Sequence, residues 1–163
     1  MGKKSKSSRQ GADRFNRLAW AEQGEKSMPF MAWNDRLVLG IEEIDGDHKK
    51  LVEMTNELYD GVQAGLGREA LVGILERLVE HTRHHFAREE QLFEENDPPR
   101  AEEHKKGHYA MLAVVERAQA DYVSSGAAAP SLEMMVVLKD WLYDHMLGSD
   151  QQDLPFLLKK GNT

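Results

Sequence analysis

Apolar side chains recur every three or four residues in four stretches of the chain, which is the spacing of one face of an α-helix. These stretches cover about residues 44–65, 68–95 and 101–123, and a fourth begins after Ser131 and loses its pattern near Gly148. No stretch alternates apolar and polar residues as a strand would, and no internal repeat is present. The pattern therefore predicts an all-α fold.

Turn-forming residues separate the four predicted helices. Gly65–Gly67 follows the first helix, Asn96–Pro99 ends the second because proline cannot continue a helix, and the linker Ser124–Pro130 follows the third. Ser131 is suited to cap the fourth helix. Short connections between amphipathic helices favour an antiparallel up-down-up-down four-helix bundle.

Charge divides the chain into two parts. The 163 residues suit one domain, and the formal net charge is −7. Residues 1–27 hold seven basic and three acidic side chains, a local charge of +4, which leaves −11 for the remainder. We expect residues 1–30 to form a basic N-terminal leader, either a flexible solvated tail or a contact for a membrane surface or acidic partner. Residues 31–163 should form the bundle, whose acidity does not favour nucleic-acid binding.

The sequence also excludes several classes of protein. It contains no cysteine, so disulfides, thiolate metal sites and cysteine nucleophiles are excluded. No run reaches the roughly 18 consecutive apolar residues of a membrane span. No apolar stretch follows the basic amino end as it would in a secretory signal, so we expect a cytoplasmic protein.

Histidine occupies the apolar face of every predicted helix. These inward positions are set by spacings of three, four or seven residues from neighbouring apolar side chains. They belong to His48 in the first helix, His85 and Glu89 in the second, His104 and His108 in the third, and His145 in the fourth. One such histidine is most often a core residue with satisfied nitrogens. Burying five histidines and a carboxylate without partners would cost roughly 1–3 kcal/mol of folding free energy for each group. A buried metal ion is the simplest partner for all of them.

The spacing within two helices supports this interpretation. His85 and Glu89 are four residues apart, as are His104 and His108, so each pair projects from one helix face. Either pair alone is a weak signal, whereas both together with an inward histidine on each other helix are a strong one. The Glu-x-x-His motif of ferritin-like bundles and the HExxH motif of zinc hydrolases are both missing. Imidazole also suits zinc, copper and nickel, so side-chain chemistry leaves the metal open.

Several stretches resemble the hemerythrins, especially the bacterial ones. They are IDGDHKKL (44–51), HTRHHFAREE (81–90), HKKGH (104–108) and WLYDHMLGSD (141–150), with WNDRLVLG (33–40) similar to the segment before the family's first helix. The resemblance covers about residues 31–160, so only the leader falls outside it. It implies a four-helix bundle that holds two non-haem iron ions (Fe²⁺/Fe³⁺) with a bridging oxo or hydroxo group.

The resemblance also implies seven metal ligands. His104, His108 and His145 would bind one iron, and His48 and His85 would bind the other. Glu89 and Asp150 would bridge the two ions. The iron with two histidines would keep one open position, where dioxygen binds.

Asp150 depends on the resemblance more than the other ligands do. Five residues at about 100° each place it roughly 140° off the face of His145, so the helix must loosen or end between them. We expect this at Gly148 or Ser149. Without the resemblance, a solvated or capping acid in the acidic stretch 150–153 is the simpler interpretation.

Position 81 departs from the family, which often has tyrosine there. His81 lies one turn before His85, so three roles are open for it. The first role is a hydrogen-bond donor beside the site, and the second is a proton source that speeds the loss of bound peroxide. The third is a partly solvated residue near the end of the bundle. His84 is predicted to lie on the surface, and Trp141 and Phe86 are predicted to pack around the site.

The predicted function is reversible dioxygen binding, for storage or delivery, rather than catalysis. One alternative is an oxygen or redox sensor, although no attached signalling domain is visible in the sequence. Another is a peroxidase or nitric-oxide-reactive enzyme that uses the same di-iron centre. An enzyme would need a proton donor beside the open position, and His81 is the only candidate.

Overall fold

Four long helices form where the apolar spacing predicts them. In the computed structural model, which describes residues 28–158, they are α1 (Glu42–Gln63), α2 (Arg68–Asn96), α3 (Ala101–Ser125) and α4 (Leu132–Asp144). The described part of the chain contains no strand, so the predicted all-α class is confirmed. The predicted leader, residues 1–30, lies almost wholly outside the described residues.

Local sequence sets the ends of these helices. The hydroxyl of Ser131 accepts a hydrogen bond of 3.1 Å from the backbone N–H of Met134, which confirms the predicted cap of α4. Helix α2 ends at Asn96, and the next residue, Asp97, has a φ of 48° in the left-handed region, directly before two prolines. Gly126 ends α3 with a φ of 69°, a conformation that glycine adopts without steric cost because it has no Cβ.

The apolar faces of the helices meet in one core. Its most buried members include Leu51, Leu58, Leu75, Leu78 and Leu142. Helix α1 packs against α2 and α4, and α3 packs against α2 and α4, which closes the antiparallel bundle. Each fully buried leucine contributes about 1.5–3 kcal/mol, so this core is the main source of stability. Within residues 28–158, no helix has both the length and the apolarity that crossing a membrane requires.

The fourth helix continues beyond the predicted loss of its pattern near Gly148. It widens into a π-helical segment (His145–Asp150) and then resumes as α5 (Gln151–Leu157). Residues five apart are hydrogen-bonded neighbours in a π-helix, so this segment brings positions 145 and 150 towards one face. The prediction that the helix loosens between these two positions is confirmed, whereas an end near Gly148 is wrong.

The segment before α1 is tied to the bundle by side-chain hydrogen bonds. The amide of Asn56 exchanges two bonds of 2.8 Å with the backbone of Met31. The amide of Gln151 donates to the carbonyls of Arg36 and Val38, at 3.2 and 3.4 Å. This contact fixes the start of α5, directly after the π-helical segment.

Candidate metal centre

The seven predicted ligands converge at one end of the bundle, where α1 and α3 begin and α2 and α4 end. They are His48, His85, Glu89, His104, His108, His145 and Asp150, and each is at most 5% exposed. So many buried polar side chains in one place are unusual, because buried polar groups normally form hydrogen bonds with the backbone, with other side chains or with water. Their side chains fall into two groups with two carboxylates between them.

Three imidazoles form the first group. The Nε2 atom of His145 lies 3.4 Å from that of His104 and 3.2 Å from that of His108. Oε2 of Glu89 is 3.1 Å from Nε2 of His108, 3.6 Å from that of His145 and 4.0 Å from that of His104. All four donor atoms lie within 4.8 Å of one another, close enough to share one metal ion.

Two imidazoles form the second group. The rings of His48 and His85 meet edge to face with their centroids 4.7 Å apart. Oε1 of Glu89 is 3.9 Å from Nε2 of His48, and its Oε2 is 3.6 Å from Nε2 of His85. These three residues also offer ligand atoms within 4.8 Å of one another, so a second ion fits here.

Asp150 joins the two groups. Its Oδ1 lies 3.1 Å from Nε2 of both His104 and His145. Its Oδ2 lies 3.3 Å from Nε2 of His48. The π-helical segment makes this possible, since in a regular α-helix Asp150 would point roughly 140° away from His145.

The donor set fits a cation because many of its atoms have no hydrogen-bond partner. These atoms are both ring nitrogens of His48 and His85, Oε2 of Glu89 and both carboxylate oxygens of Asp150. Imidazole nitrogens and carboxylate oxygens that face one another, buried and unpaired, are the ligand types that divalent transition metals prefer. The arrangement is therefore able to hold a metal ion.

The two central carboxylates are held ionised by the surrounding imidazoles. Burial opposes ionisation of Glu89, but the charge of His85 and contacts with His108 and His145 keep its pKa well below its usual range. Burial and the charge of Glu89 both oppose ionisation of Asp150, and the neighbouring imidazoles still lower its pKa. Both groups are therefore ready to bind a cation without first losing a proton.

The imidazoles differ in how strongly they bind a proton. Burial lowers the pKa of His104, but the carboxylates of Asp150 and Asp153 outweigh it and raise the pKa to about 9. Burial also opposes protonation of His85, and the charge of Glu89 leads the interactions that nevertheless raise its pKa. For His108, burial prevails and lowers the pKa.

Aromatic rings surround the group of three histidines. Phe86 stacks on His108 with ring centroids 3.9 Å apart, and Trp141 stacks on His145 at 4.4 Å. The predictions that Phe86 and Trp141 pack around the site are confirmed. Phe93 covers His104 at 4.8 Å. These rings exclude water, which strengthens electrostatic interactions within the site.

Three carboxylates that the sequence interpretation missed lie behind the imidazoles. Oδ2 of Asp153 is 2.7 Å from Nδ1 of His104, and Oε1 of Glu90 is 3.3 Å from Nδ1 of His108. Oδ2 of Asp47 is 3.8 Å from Nδ1 of His85 and is also paired with Arg88. Each missed acid is adjacent to a predicted ligand or one turn from it, which is the only sequence signal they carry.

The two remaining histidines lie outside this cluster. Nε2 of His81 is 3.6 Å from Oδ1 of Asp47, and its side chain is 22% exposed in a surface groove. Burial lowers the pKa of His81, with Asp47 acting in the opposite direction. His84 is paired with Glu80 at 3.0 Å and its side chain is 66% exposed, which confirms the predicted surface position.

Known proteins are similar to this chain in sequence and in fold. The family model "Hemerythrin HHE cation binding domain" matches residues 39–157. Bacteriohemerythrins of Stenotrophomonas maltophilia and Pseudomonas aeruginosa are each 33% identical to this chain, over 76% of it and over 79% and 78% of their own lengths. A myohemerythrin of Theromyzon tessulatum is 28% identical over 72% of this chain and 86% of its own.

A solved structure gives the same result for the fold. The crystal structure of wild-type hemerythrin superimposes with a TM-score of 0.72 at 23% identity, covering 78% of this chain and 98% of that one. The antiparallel four-helix bundle is therefore confirmed. The family model covers well over half of the residues, and two relatives share a third of the aligned sequence. The chain belongs to the hemerythrin family.

Proposed function

We propose that this protein binds dioxygen reversibly at two non-haem iron ions held by the seven clustered residues. Membership of the hemerythrins, a family that binds non-haem iron and dioxygen, supports this function. The observation that carries it is the placement of Glu89 and Asp150. Each carboxylate turns towards both the group of three imidazoles and the group of two.

The division of the ligands gives the two metal positions different roles. His104, His108 and His145 would hold one ion, and His48 and His85 would hold the other, with both carboxylates shared. The position with two imidazoles has one protein donor fewer, so it is the one that keeps room for a small molecule. When bound, the ferrous ions would supply the electrons that dioxygen takes up and would recover them on its release.

The residues around the ligands serve a carrier by keeping the site dry. A carrier must prevent protons from reaching bound oxygen, because protonation would release it as hydrogen peroxide. The ligand side chains are nearly inaccessible to solvent, and the rings of Phe86 and Trp141 pack directly on them. A water-poor pocket of this kind suppresses such side reactions.

Metal analysis combined with one optical experiment tests the proposal. The purified chain should hold about two iron ions, because five imidazoles and two bridging carboxylates provide enough ligands for two ions. The anaerobically reduced protein should gain visible absorption on exposure to air and lose it again under vacuum. One metal per chain, or stoichiometric zinc after expression with ample iron, would contradict the di-iron centre. Absorption that never reverses would contradict the carrier function.

A di-iron peroxidase is the second candidate, and the contact between His81 and Asp47 favours it. His81 lines a surface groove and touches Asp47, whose other oxygen faces His85. Polar groups therefore lead from solvent to a predicted ligand. Steady-state peroxide reduction by the wild-type protein and by His81→Phe separates the two functions. An enzyme should turn over rapidly and lose most of that activity in the variant.

A further inference from the structure

Among residues 28–158, Asp153 is the most deeply buried acid outside the seven clustered residues. It lies in α5, one turn after Asp150, and is 1% exposed. Its Oδ2 atom is 2.7 Å from Nδ1 of His104, and its Oδ1 atom has no hydrogen-bond partner in the described structure. A buried carboxylate is costly unless it is paired. The contact with His104 supplies that pairing and places the carboxylate directly behind a predicted ligand.

The geometry restricts where the proton of His104 can lie. A short contact between a carboxylate and Nδ1 is favourable only if Nδ1 carries a hydrogen, because both atoms would otherwise present lone pairs. The other nitrogen, Nε2, faces the centre, 3.1 Å from Oδ1 of Asp150. A metal ion at the centre would replace any hydrogen on Nε2, whereas Asp153 would retain the hydrogen on Nδ1 and fix the plane of the ring.

The other acids behind the imidazoles are less well placed for this role. The side chain of Glu90 is 22% exposed, lies 3.3 Å from Nδ1 of His108, and also accepts a hydrogen bond from Tyr109. Asp47 is 3.8 Å from Nδ1 of His85, beyond hydrogen-bond distance, and its charge is shared with Arg88. Asp153 alone combines a short contact with nearly complete burial.

We propose that Asp153 is a positioning residue of the metal centre, which holds the Nδ1–H of His104 and strengthens that imidazole as a ligand. The proposal rests on the di-iron function proposed above. Acids that orient metal-binding histidines typically change metal affinity by 10–100-fold when they are replaced. We expect a loss of that size for Asp153→Leu and a smaller one for Asp153→Asn, whose amide oxygen can still accept from Nδ1.

Two measurements on the full-length protein test the proposal. The first is the rate at which excess chelator removes iron from the loaded wild-type protein, from Asp153→Asn and from Asp153→Leu. The second is the ¹⁵N-histidine NMR spectrum of the zinc-loaded proteins, with zinc as a diamagnetic probe. The wild-type spectrum should contain a low-field, slowly exchanging Nδ1–H signal from His104, and Asp153→Leu should lack it. A residue that only supported the fold would leave this signal in place.

A matched control separates metal binding from general destabilisation. Ile74→Val removes one buried methylene far along α2 from the centre and should lower stability slightly while leaving iron loss at the wild-type rate. Iron loss that rises 10–100-fold in Asp153→Leu and less in Asp153→Asn, with Ile74→Val unchanged, supports the proposal. Iron loss at the wild-type rate in both Asp153 variants overturns it, as does equal acceleration in Ile74→Val. A wild-type protein that takes up no iron would instead overturn the di-iron function itself.

Discussion

Removing the metal should destabilise this protein by an amount that the unpartnered atoms of the centre determine. Five donor atoms that face the two groups have no hydrogen-bond partner among the described residues. They are Nε2 of His48 and His85, Oε2 of Glu89 and both carboxylate oxygens of Asp150. At roughly 1–3 kcal/mol for each buried unpaired group, their total cost is at most about 5–15 kcal/mol, because the imidazoles and carboxylates lie 3.1–3.6 Å apart and partly compensate one another. That range matches the whole net stability of a typical domain, about 5–15 kcal/mol.

Protonation of the imidazoles relieves part of this cost in the metal-free protein, so the measured loss should be smaller. A metal present at about 1,000 times its dissociation constant stabilises the folded state by about 4 kcal/mol, which we take as the expected difference. In a protein of this size, 1 kcal/mol changes Tm by about 2–4 °C. The metal-free protein should therefore melt about 8–16 °C below the iron-loaded form.

Thermal unfolding followed by far-ultraviolet circular dichroism measures this difference. The iron-loaded protein, the chelated protein and the chelated protein reloaded anaerobically with Fe²⁺ should be compared in one buffer. His84→Ala is the control, since the His84 side chain is exposed and pairs with Glu80 of its own helix, and it should show the same decrease. A metal-free protein that melts within about 2 °C of the loaded form would refute this prediction, because metal binding would then contribute under about 1 kcal/mol to the free energy of unfolding.

Three further results are expected from the same contacts. His104→Ala should lose iron and dioxygen binding in elemental analysis and optical titration, and two retained irons with normal binding would contradict its role as a ligand. The pKa of about 9 for His104 means that its contribution to the stability of the metal-free protein is complete below about pH 6.5 and is lost as the pH rises through about 9. Metal uptake at about pH 8 should therefore release protons, measurable by calorimetry in buffers of different ionisation enthalpy. If the protein is a carrier, His81→Phe should leave the autoxidation rate unchanged, because Asp47 lies between the His81 ring and His85; a slower rate in the variant would favour the enzyme.

The helices and five inward histidines could be predicted because they obey a short-range rule. An apolar face with a period of 3.6 residues places His48 or His145 in the interior whatever the neighbouring helices do. The core residues on the same faces, such as Leu51 and Leu142, are buried as the spacing requires. Turn residues then limit the lengths of the connections, and this leaves an antiparallel bundle as the simplest arrangement.

Asp150 marks the limit of this reasoning. Its position depends on the helix abandoning the α-helical period for six residues, and the local sequence gives little warning beyond Gly148 and Ser149. A π-helical segment is unfavourable on its own and persists where surrounding contacts hold it. Here those contacts include the hydrogen bonds of Gln151 to the segment before α1, which is more than 100 residues away in sequence. Only resemblance to a known family could supply this ligand before the structure.

The outer carboxylates could not be predicted because their role is decided by partners on other helices. In sequence, Asp47, Glu90 and Asp153 look like the solvated acids of an acidic chain. In the folded protein they lie behind His85, His108 and His104, where they add negative charge to that of Glu89 and Asp150. Arg88 offsets part of this charge at Asp47. Since an uncompensated buried charge is unfavourable, the acids around the centre favour cationic charge beside them. The two iron ions proposed above would supply such charge, and the acids behind the imidazoles would then also orient those rings towards the ions.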